Sequence, residues 1–507
     1  MILIRPLALI LTGALALASC LEKGRTIETL DPAVVGDAQS RLTDGILREE
    51  DVRGGTAGGT VGDQVANLTP TDVARLGSAF IEDYVSGSEP LPATMPAARR
   101  EHLRLIYAEQ AFEPLWFDSS GWTARAKDLM AVFKNATVDG LLPRDYMPGE
   151  QSLPKSLKLD TTAVAQIDLE LTAGLLRYIR DAREGRYSGH NRLNPVPLAK
   201  ELINARFIDE AMVSAVNQGE LYQELRRRGL QEVQYLTSAQ FDAYRVTMEQ
   251  LRAKPIVLTE AGKYLISNIA VQEVVAMRDG HMELGMNMVV GRRTRATPIR
   301  DDGITNIKFS PDWTAPKSIV RRDLIPRAPG ILQEMQIQVL SGSRAIDPTT
   351  IRWTPAAADR YIFRQNPGPH NVLGGVRFTL QNSSAIYMHD SPERVLFNKP
   401  TRTYSSGCMR LESSAELALW LLKDQDPSWT LAKIQEKMNL SAPEFVQLNQ
   451  RVPVRTIYLE AWPSHKGGLR ILPDIYNRHD ALRRKMGIQV HSADDPQDLS
   501  QFQTSIF

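Results

Sequence analysis

Cysteine is nearly missing from this chain: 507 residues hold only Cys20 and Cys408. A scaffold stapled by several disulfides is therefore excluded, as is a zinc site built from a cysteine quartet. Histidine is scarce too, at 8, and scattered. No group of His, Cys and carboxylates stands at metal-ligand spacing, so neither a metal nor any other cofactor is expected. Charge of one sign is also lacking, since 60 Lys and Arg face 59 Asp and Glu for a net +1. That balance gives no electrostatic reason to bind nucleic acid. Past the N-terminus no apolar run approaches the roughly 18 residues of a membrane-spanning helix. What remains is ordinary for a globular protein, 43% hydrophobic and 23% charged. The length implies two or three domains, because single cores stop growing at roughly 250–300 residues.

The first segment, 1–19, places Arg5 ahead of an apolar run from Leu7 to Ala18, as a secretory signal does. It ends in Leu17-Ala18-Ser19-Cys20, which resembles the lipobox of bacterial lipoproteins. The resemblance implies cleavage before Cys20, lipidation of its thiol, and a membrane partner reached through the lipid anchor. The expected location is the periplasm, with Leu21 favouring the outer membrane. Lipidation of Cys20 would leave Cys408 without a disulfide partner, and a lone thiol in an exported protein is a candidate nucleophile.

Residues 20–69 are polar and include Gly54-Gly55-Thr56-Ala57-Gly58-Gly59-Thr60, the composition of a flexible tether. From 70 to 254 the apolar spacing is helical over Ala98–Gln110, Trp122–Lys134, Ala163–Ala182, Ala211–Arg228 and Ser238–Arg252. Near Pro255 the texture changes to short β-type runs: Ile256–Leu258, Tyr264–Ile266, Glu273–Ala276, Met286–Val290, Ile304–Phe309, Val376–Leu380, Ala385–Met388 and Val454–Ala461. The predicted architecture is α+β and multidomain, a helical domain followed by a β-rich one spanning 255–476. A stretch at about 313–370, rich in Pro and Arg, interrupts the strands and reads as an inserted subdomain or lid, with a surface elaboration as the plainer reading. Residues 477–507 form a C-terminal tail.

The chemistry concentrates between Ile386 and Leu411. His389 follows a strand-like segment, and Cys408 follows Ser405-Ser406-Gly407. Ser413–Leu422 reads as a helix, so Cys408 is expected near a loop–helix junction, where the helix dipole would favour thiolate. An imidazole in reach would activate the thiol further. Gly407 would let backbone N–H groups approach an oxyanion.

This segment resembles the signature of the L,D-transpeptidase (YkuD-type) family: a His, a spacer, then Ser-x-Gly-Cys-x-Arg, here His389 and Ser405-Ser406-Gly407-Cys408-Met409-Arg410. Many members have a second histidine where this chain has Ser406. The large multidomain YcbB-like branch has Ser-Ser-Gly-Cys as here. Gln365–Asn371, Leu373-Gly374-Gly375, Ile386–Asp390, Val289–Arg292 with Thr297-Pro298, and Pro473–Tyr476 match that branch as well. Phe112-Glu113-Pro114-Leu115-Trp116 and Asp139-Gly140-Leu141 resemble its scaffold domain more loosely. The branch usually carries a small peptidoglycan-binding helical module, which Leu221–Arg252 is too short to hold.

The resemblance implies a cysteine acyltransferase on peptidoglycan stem peptides, which serve as donor and acceptor, and a target for carbapenems. Cys408 would be the nucleophile and His389 its base. The Asp390 carbonyl would orient the imidazole, with a turn-capping Asp390 carboxylate as the alternative. Gly407 and Cys408 N–H groups would form the oxyanion hole. Arg410 would hold a substrate carboxylate or serve as a structural ion pair. Ser406, Tyr404, Tyr387 and Asn371 are candidate pocket walls, and Trp313 and Trp353 possible ligand contacts or core. His370 is not at metal spacing from His389. Two rivals stay open: a hydrolase using the same pair, and a non-catalytic wall-binding lipoprotein. A papain-like peptidase fits poorly, because its histidine lies far downstream of its cysteine.

Overall fold

The computed structural model describes residues 70–87, 97–118, 121–148, 161–187, 192–258, 260–381 and 386–490. The signal segment, Cys20, the tether and the end of the C-terminal tail lie outside the described residues. The chain divides into two compact units, Met1–Ala126 with Pro148–Thr172, and Lys127–Met147 with Ala173–Phe507.

In the first unit, α1 (Pro70–Ser86) packs on α2 (Ala97–Tyr107), beside a small hairpin of β1 (Phe117–Asp118) and β2 (Gly121–Trp122). Its polar centre is Asp168, fully buried. Tyr107 Oη donates to Asp168 Oδ1 at 2.6 Å, and the N–H groups of Leu115 and Trp116 donate to the carboxylate at 3.1 and 2.8 Å. The Phe112–Trp116 segment is thus tied to Asp168, since a buried carboxylate demands donors, and Trp116 Nε1 also donates to Thr172 Oγ1 at 2.8 Å.

The second unit begins with helices α3 (Ala124–Lys134), α4 (Thr161–Glu184), α5 (Val196–Asn204), α6 (Ile208–Ala215), α7 (Glu220–Glu232) and α8 (Ser238–Ala253), of which the first two run in from the other unit. The single helix expected over Ala211–Arg228 is two: Val216 takes an extended conformation at the end of α6, and Gly219 starts α7. Buried Asp139 accepts from Tyr178 Oη at 2.6 Å, Tyr222 Oη at 2.7 Å and Arg226 Nε at 3.1 Å. Gly140 must be glycine: its φ is +65°, and a Cβ would lie 3.1 Å from Arg245 Cα. These helices join the β-rich part through polar bonds, the Leu469 N–H to Glu232 at 2.8 Å and the Ala461 N–H to Thr247 Oγ1 at 2.9 Å.

The β-rich part is built on β3 (Lys263–Asn268), β4 (Glu273–Arg278), β5 (His281–Gly291) and β6 (Asp301–Phe309). After an insertion holding β7 (Trp313–Thr314), β8 (Gln338–Ser341), β9 (Arg344–Ile346) and β10 (Ile362–Gln365), the sheet resumes. It continues with β11 (Val376–Leu380), β12 (Met388–His389), β13 (Thr403–Ser405), β14 (Met409–Leu411) and β15 (Glu444–Ile457), and β16 (Ala461–Pro463) pairs with β17 (Leu469–Ile471) apart from it. Nine strands run in the order β13-β5-β14-β12-β11-β6-β15-β3-β4, and β4 also pairs with β5, so the sheet closes on itself. Closure is possible because β5, 11 residues long, gives its first half to β4 and its second to β14 and β13. It leaves few exposed strand edges. Its core includes Ile304, Phe309, Phe378, Met388, Met409 and Leu411, capped by Leu417, Leu421 and Ile434 from α9 (Ser414–Leu422) and α10 (Leu431–Lys437). The run Ile256–Leu258, expected as a strand, is irregular, and Val257 is exposed at 54%. It makes no ladder pairing; the Leu258 N–H donates to Glu220, and the Val257 carbonyl accepts from Arg455 Nη1 at 2.9 Å.

The insertion has a core of its own, with Trp313, Leu324, Leu332, Val339, Phe363 and Leu373 among its buried residues. Its four strands form a separate sheet, β7-β10-β8-β9. Trp313 belongs to that core, and Trp353 packs on Phe363 with ring centroids 6.0 Å apart.

Candidate active site

Strand register assembles the site. β12 runs parallel to β14 with Met388 opposite Met409 and His389 opposite Arg410. β11 runs antiparallel on the other side of β12 with Arg377 opposite His389. Side chains alternate across a strand, so Met388, Met409 and Leu411 point into the core while Tyr387, His389, Arg377, Arg410 and Cys408 share the other face. Of these five, Tyr387, His389, Cys408 and Arg410 line one cavity of about 570 Å³. The remainder of its wall includes Arg292, Ser405 and Ser406, and Trp313, Arg322 and Arg327 from the insertion.

His389 is 4% exposed. Its Nδ1 lies 2.5 Å from the Asp390 carbonyl oxygen. A carbonyl can only accept, so Nδ1 carries the proton and Nε2 is the unprotonated, basic nitrogen. The Asp390 carboxylate is occupied elsewhere, taking the Gly375 N–H at 2.9 Å and the Ser414 hydroxyl at 2.8 Å. Both expectations for Asp390 thus describe one residue, with the carbonyl on the imidazole and the carboxylate tying loop to helix. Burial pushes the imidazole pKa down to about 3, and Arg410 and Arg377 on the flanking strands push the same way. Burial likewise pushes the Cys408 thiol up, with the Tyr387 backbone, Arg410 and Arg377 opposing. Both shifts favour the uncharged forms, thiol and neutral imidazole.

Two expectations about the Cys408 loop need correction. Cys408 does not sit at a helix N-terminus: β14 intervenes, and the helix starts only at Ser414. Met409-Arg410-Leu411 alternates buried, half-buried and buried, the period of a strand edge-on to a core. The Gly407 N–H is not open to an oxyanion either, since it donates to Ser405 Oγ at 3.0 Å, and that hydroxyl donates to the Cys408 carbonyl at 2.6 Å. Gly407 acts through its backbone: its φ is +116°, and a Cβ there would lie 3.1 Å from Ile386 Cδ1.

The other candidates fall on both sides. Arg410 lines the cavity and is also ion-paired with Glu393. Tyr387 lines it with its ring under Arg377, 4.8 Å away. The Ser406 hydroxyl accepts from Arg295 Nη1 at 2.8 Å. Tyr404 is 41% exposed and outside the cavity wall. Asn371 is buried and spends its side chain on the Pro311 and Asn366 carbonyls at 2.9 and 3.0 Å, so it braces the loop after the insertion instead of walling the pocket. Neighbouring His370 lines a different cavity, in the insertion. Among the described residues one trio has ligating atoms within 4.8 Å of one another, Glu460, Asp474 and His479. Arg483 and His479 hold Glu460, Tyr458 holds Asp474 and Gln250 holds His479, so these donors are consumed by side chains.

Comparison with known proteins follows the geometry. Residues 262–434 match the L,D-transpeptidase catalytic domain (YkuD), and residues 101–237 match a scaffold domain. The chain carries an L,D-transpeptidase catalytic domain that follows a scaffold domain. A Haemophilus influenzae protein provisionally named as an L,D-transpeptidase is 27% identical over 401 residues, 74% of this chain and 77% of that one. A Mycobacterium smegmatis L,D-transpeptidase structure is 13% identical over 39% of this chain and 59% of its own, with a TM-score of 0.20. L,D-transpeptidase 3 of Mycobacterium tuberculosis, solved with a faropenem-derived adduct, is 13% identical over 39% of this chain and 60% of its own, also with a TM-score of 0.20. The chain thus spans about three fifths of the solved structures it matches.

Around this catalytic domain, distant motifs converge behind Cys408. Thr297 Oγ1 donates to the Gly407 carbonyl at 3.0 Å and accepts the Gly291 N–H at 2.9 Å. Tyr476 Oη donates to the Gly291 carbonyl at 2.5 Å and accepts the Thr297 N–H at 3.3 Å. Sequence reasoning missed Arg295, Asp323, Arg377 and Arg402. Arg402 is buried, and its guanidinium donates to the carbonyls of Met288, Lys399 and Gln272, pinning the segment that enters β13. Alternation along Val376–Leu380 puts Arg377 on the face away from the core, but only strand pairing sets it opposite His389. The others owe their place to contacts 28 to 130 residues away in sequence.

Proposed function

We propose that the chain is an L,D-transpeptidase that links diaminopimelate to diaminopimelate in peptidoglycan through a Cys408 acyl-enzyme. The observation that carries the reading is the shared face of β12 and β14, which turns Cys408 and His389 into one cavity. In the first half-reaction His389 Nε2 takes the thiol proton as sulfur attacks the carbonyl between diaminopimelate and D-Ala of a donor tetrapeptide. The imidazolium returns that proton to the departing D-Ala amine, leaving a thioester. In the second half the side-chain amine of an acceptor diaminopimelate attacks the thioester, His389 removes the amine's proton, and Cys408 leaves as thiol. The new bond is an amide, and no redox partner is required. A thiol start suits this sequence, since the proton moves only as the bond forms.

The proposed placement is the periplasm, with Cys20 carrying a lipid anchor and the outer membrane favoured. The proposed organisation keeps 70–254 as scaffold and 255–476 as catalytic domain. The test is incubation of the chain with disaccharide tetrapeptides, analysed by mass spectrometry. Cross-linked dimers with D-Ala release, absent in Cys408→Ala, are expected. Shortened monomers alone would replace transfer with hydrolysis, and no product from folded, reduced protein would leave a wall-binding role.

A further inference from the structure

The cavity holding Cys408 is cationic in an uneven way. Four guanidinium groups line it, those of Arg292, Arg322, Arg327 and Arg410, with one carboxylate, that of Asp323. Asp323 is committed to Arg295, which binds both its oxygens. Arg410 is committed to Glu393. The other three are exposed and donate to backbone carbonyls: Arg292 to Tyr404 at 3.3 Å, Arg322 to Ser318 at 3.2 Å and Arg327 to Asp323 at 3.1 Å. Each bond uses one nitrogen of a group that carries five N–H donors. The planar fork that remains matches a carboxylate, and no lysine shares the wall. Arg322 and Arg327 come from the insertion, on the helical turns Val320–Leu324 and Ile325–Arg327, while Arg292 follows β5. The electrostatics agree: Arg295 first, then Arg292 and Arg322, hold the Asp323 carboxyl below its ordinary range.

We propose that Arg292, Arg322 and Arg327 form an anion subsite that grips free carboxylates of the donor peptide while its scissile carbonyl lies over Cys408. The substrate class rests on the function proposed above, since a stem tetrapeptide carries several free carboxylates. The insertion is then a selectivity element as well as a wall. A donor amidated at the diaminopimelate carboxylate is the probe that removes one of these charges without changing shape.

Binding is measured with the full chain carrying Cys408→Ala, so that no reaction intervenes, by calorimetry with tetrapeptide and with its diaminopimelate amide. The acid is expected to bind about three- to tenfold more tightly at low salt, with the gap closing toward about 0.5 M NaCl as the charges are screened. Adding Arg322→Gln and Arg327→Gln is expected to erase the gap by weakening the acid alone, with the thermal midpoint checking the fold. Arg292→Gln by itself is expected to narrow it. Equal binding of acid and amide overturns the subsite, as does a loss that the double variant inflicts equally on both. A charge-dependent gap in a protein that yields no acyl-enzyme when Cys408 is present would keep the subsite and remove the transpeptidase reaction, so the two failures are separable.

Discussion

Burial raises the Cys408 thiol and depresses His389 to about 3, and both shifts favour the uncharged pair. The two arginines beside His389 act unequally, adding to the depression of the imidazole while partly offsetting the rise of the thiol. A pre-formed thiolate–imidazolium pair would alkylate at a pH-independent rate across the neutral range. Here the sign is different, since thiolate accumulates only as pH climbs through a thiol pKa above the ordinary value of 9.0. The rate of iodoacetamide reaction at Cys408 is expected to rise about tenfold per pH unit from about 6 to 9, in keeping with simple titration. A plateau between about pH 5 and 8, followed by intact mass spectrometry, would show the ion pair instead.

Single side chains that gather whole elements set the next scale. Asp168 binds the α2 tyrosine and two N–H groups of the segment after it while fully buried, and burial raises its pKa to about 6. A folded pKa above the unfolded one means that the native state holds its proton more tightly. Stability is therefore greatest below about pH 4, falls as pH rises to about 6, and is level beyond. Two pKa units correspond to about 3 kcal/mol. Urea unfolding of this unit between about pH 4 and 7 should reveal that slope. Asp168→Ala should abolish it and cost about 3 kcal/mol or more, because three donors, two of them buried, lose their acceptor. A variant with unchanged midpoint and slope would overturn this account.

At the scale of the whole molecule, the insertion meets the closed sheet beside the Cys408 loop. Arg295 binds Asp323 of the insertion and Ser406 of the loop at once. The pair is partly exposed, so its loss should cost little stability, about 1 kcal/mol or less. Its geometric effect should be larger. In Asp323→Asn, amide exchange over residues 317–327 is expected to quicken severalfold while β6, β11 and β15 stay protected. Unchanged exchange would mean that the insertion is held by its apolar core alone.

What the sequence by itself determined was local and periodic. Helical spacing located α3, α4 and α8, short β-type runs between turn signals located β4, β5, β6 and β11, and the order His389, Ser405, Gly407, Cys408 marked the candidate site. The family resemblance followed from those same residues. Misreadings came where local pattern competes with tertiary pairing. The apolar run at Ile256–Leu258 found no partner strand, and three residues after Cys408, too few to show a period, became a strand because β5 and β12 offered edges on both sides. Tertiary structure alone decided that Arg377 would flank His389, that Asn371 would turn inward, and that the Gly407 N–H would be spent on Ser405. It also decided that arginines from the insertion would face the thiol. Each of these depends on hydrogen bonds and charges brought together from far along the chain, and periodicity carries no information about which distant segments will meet.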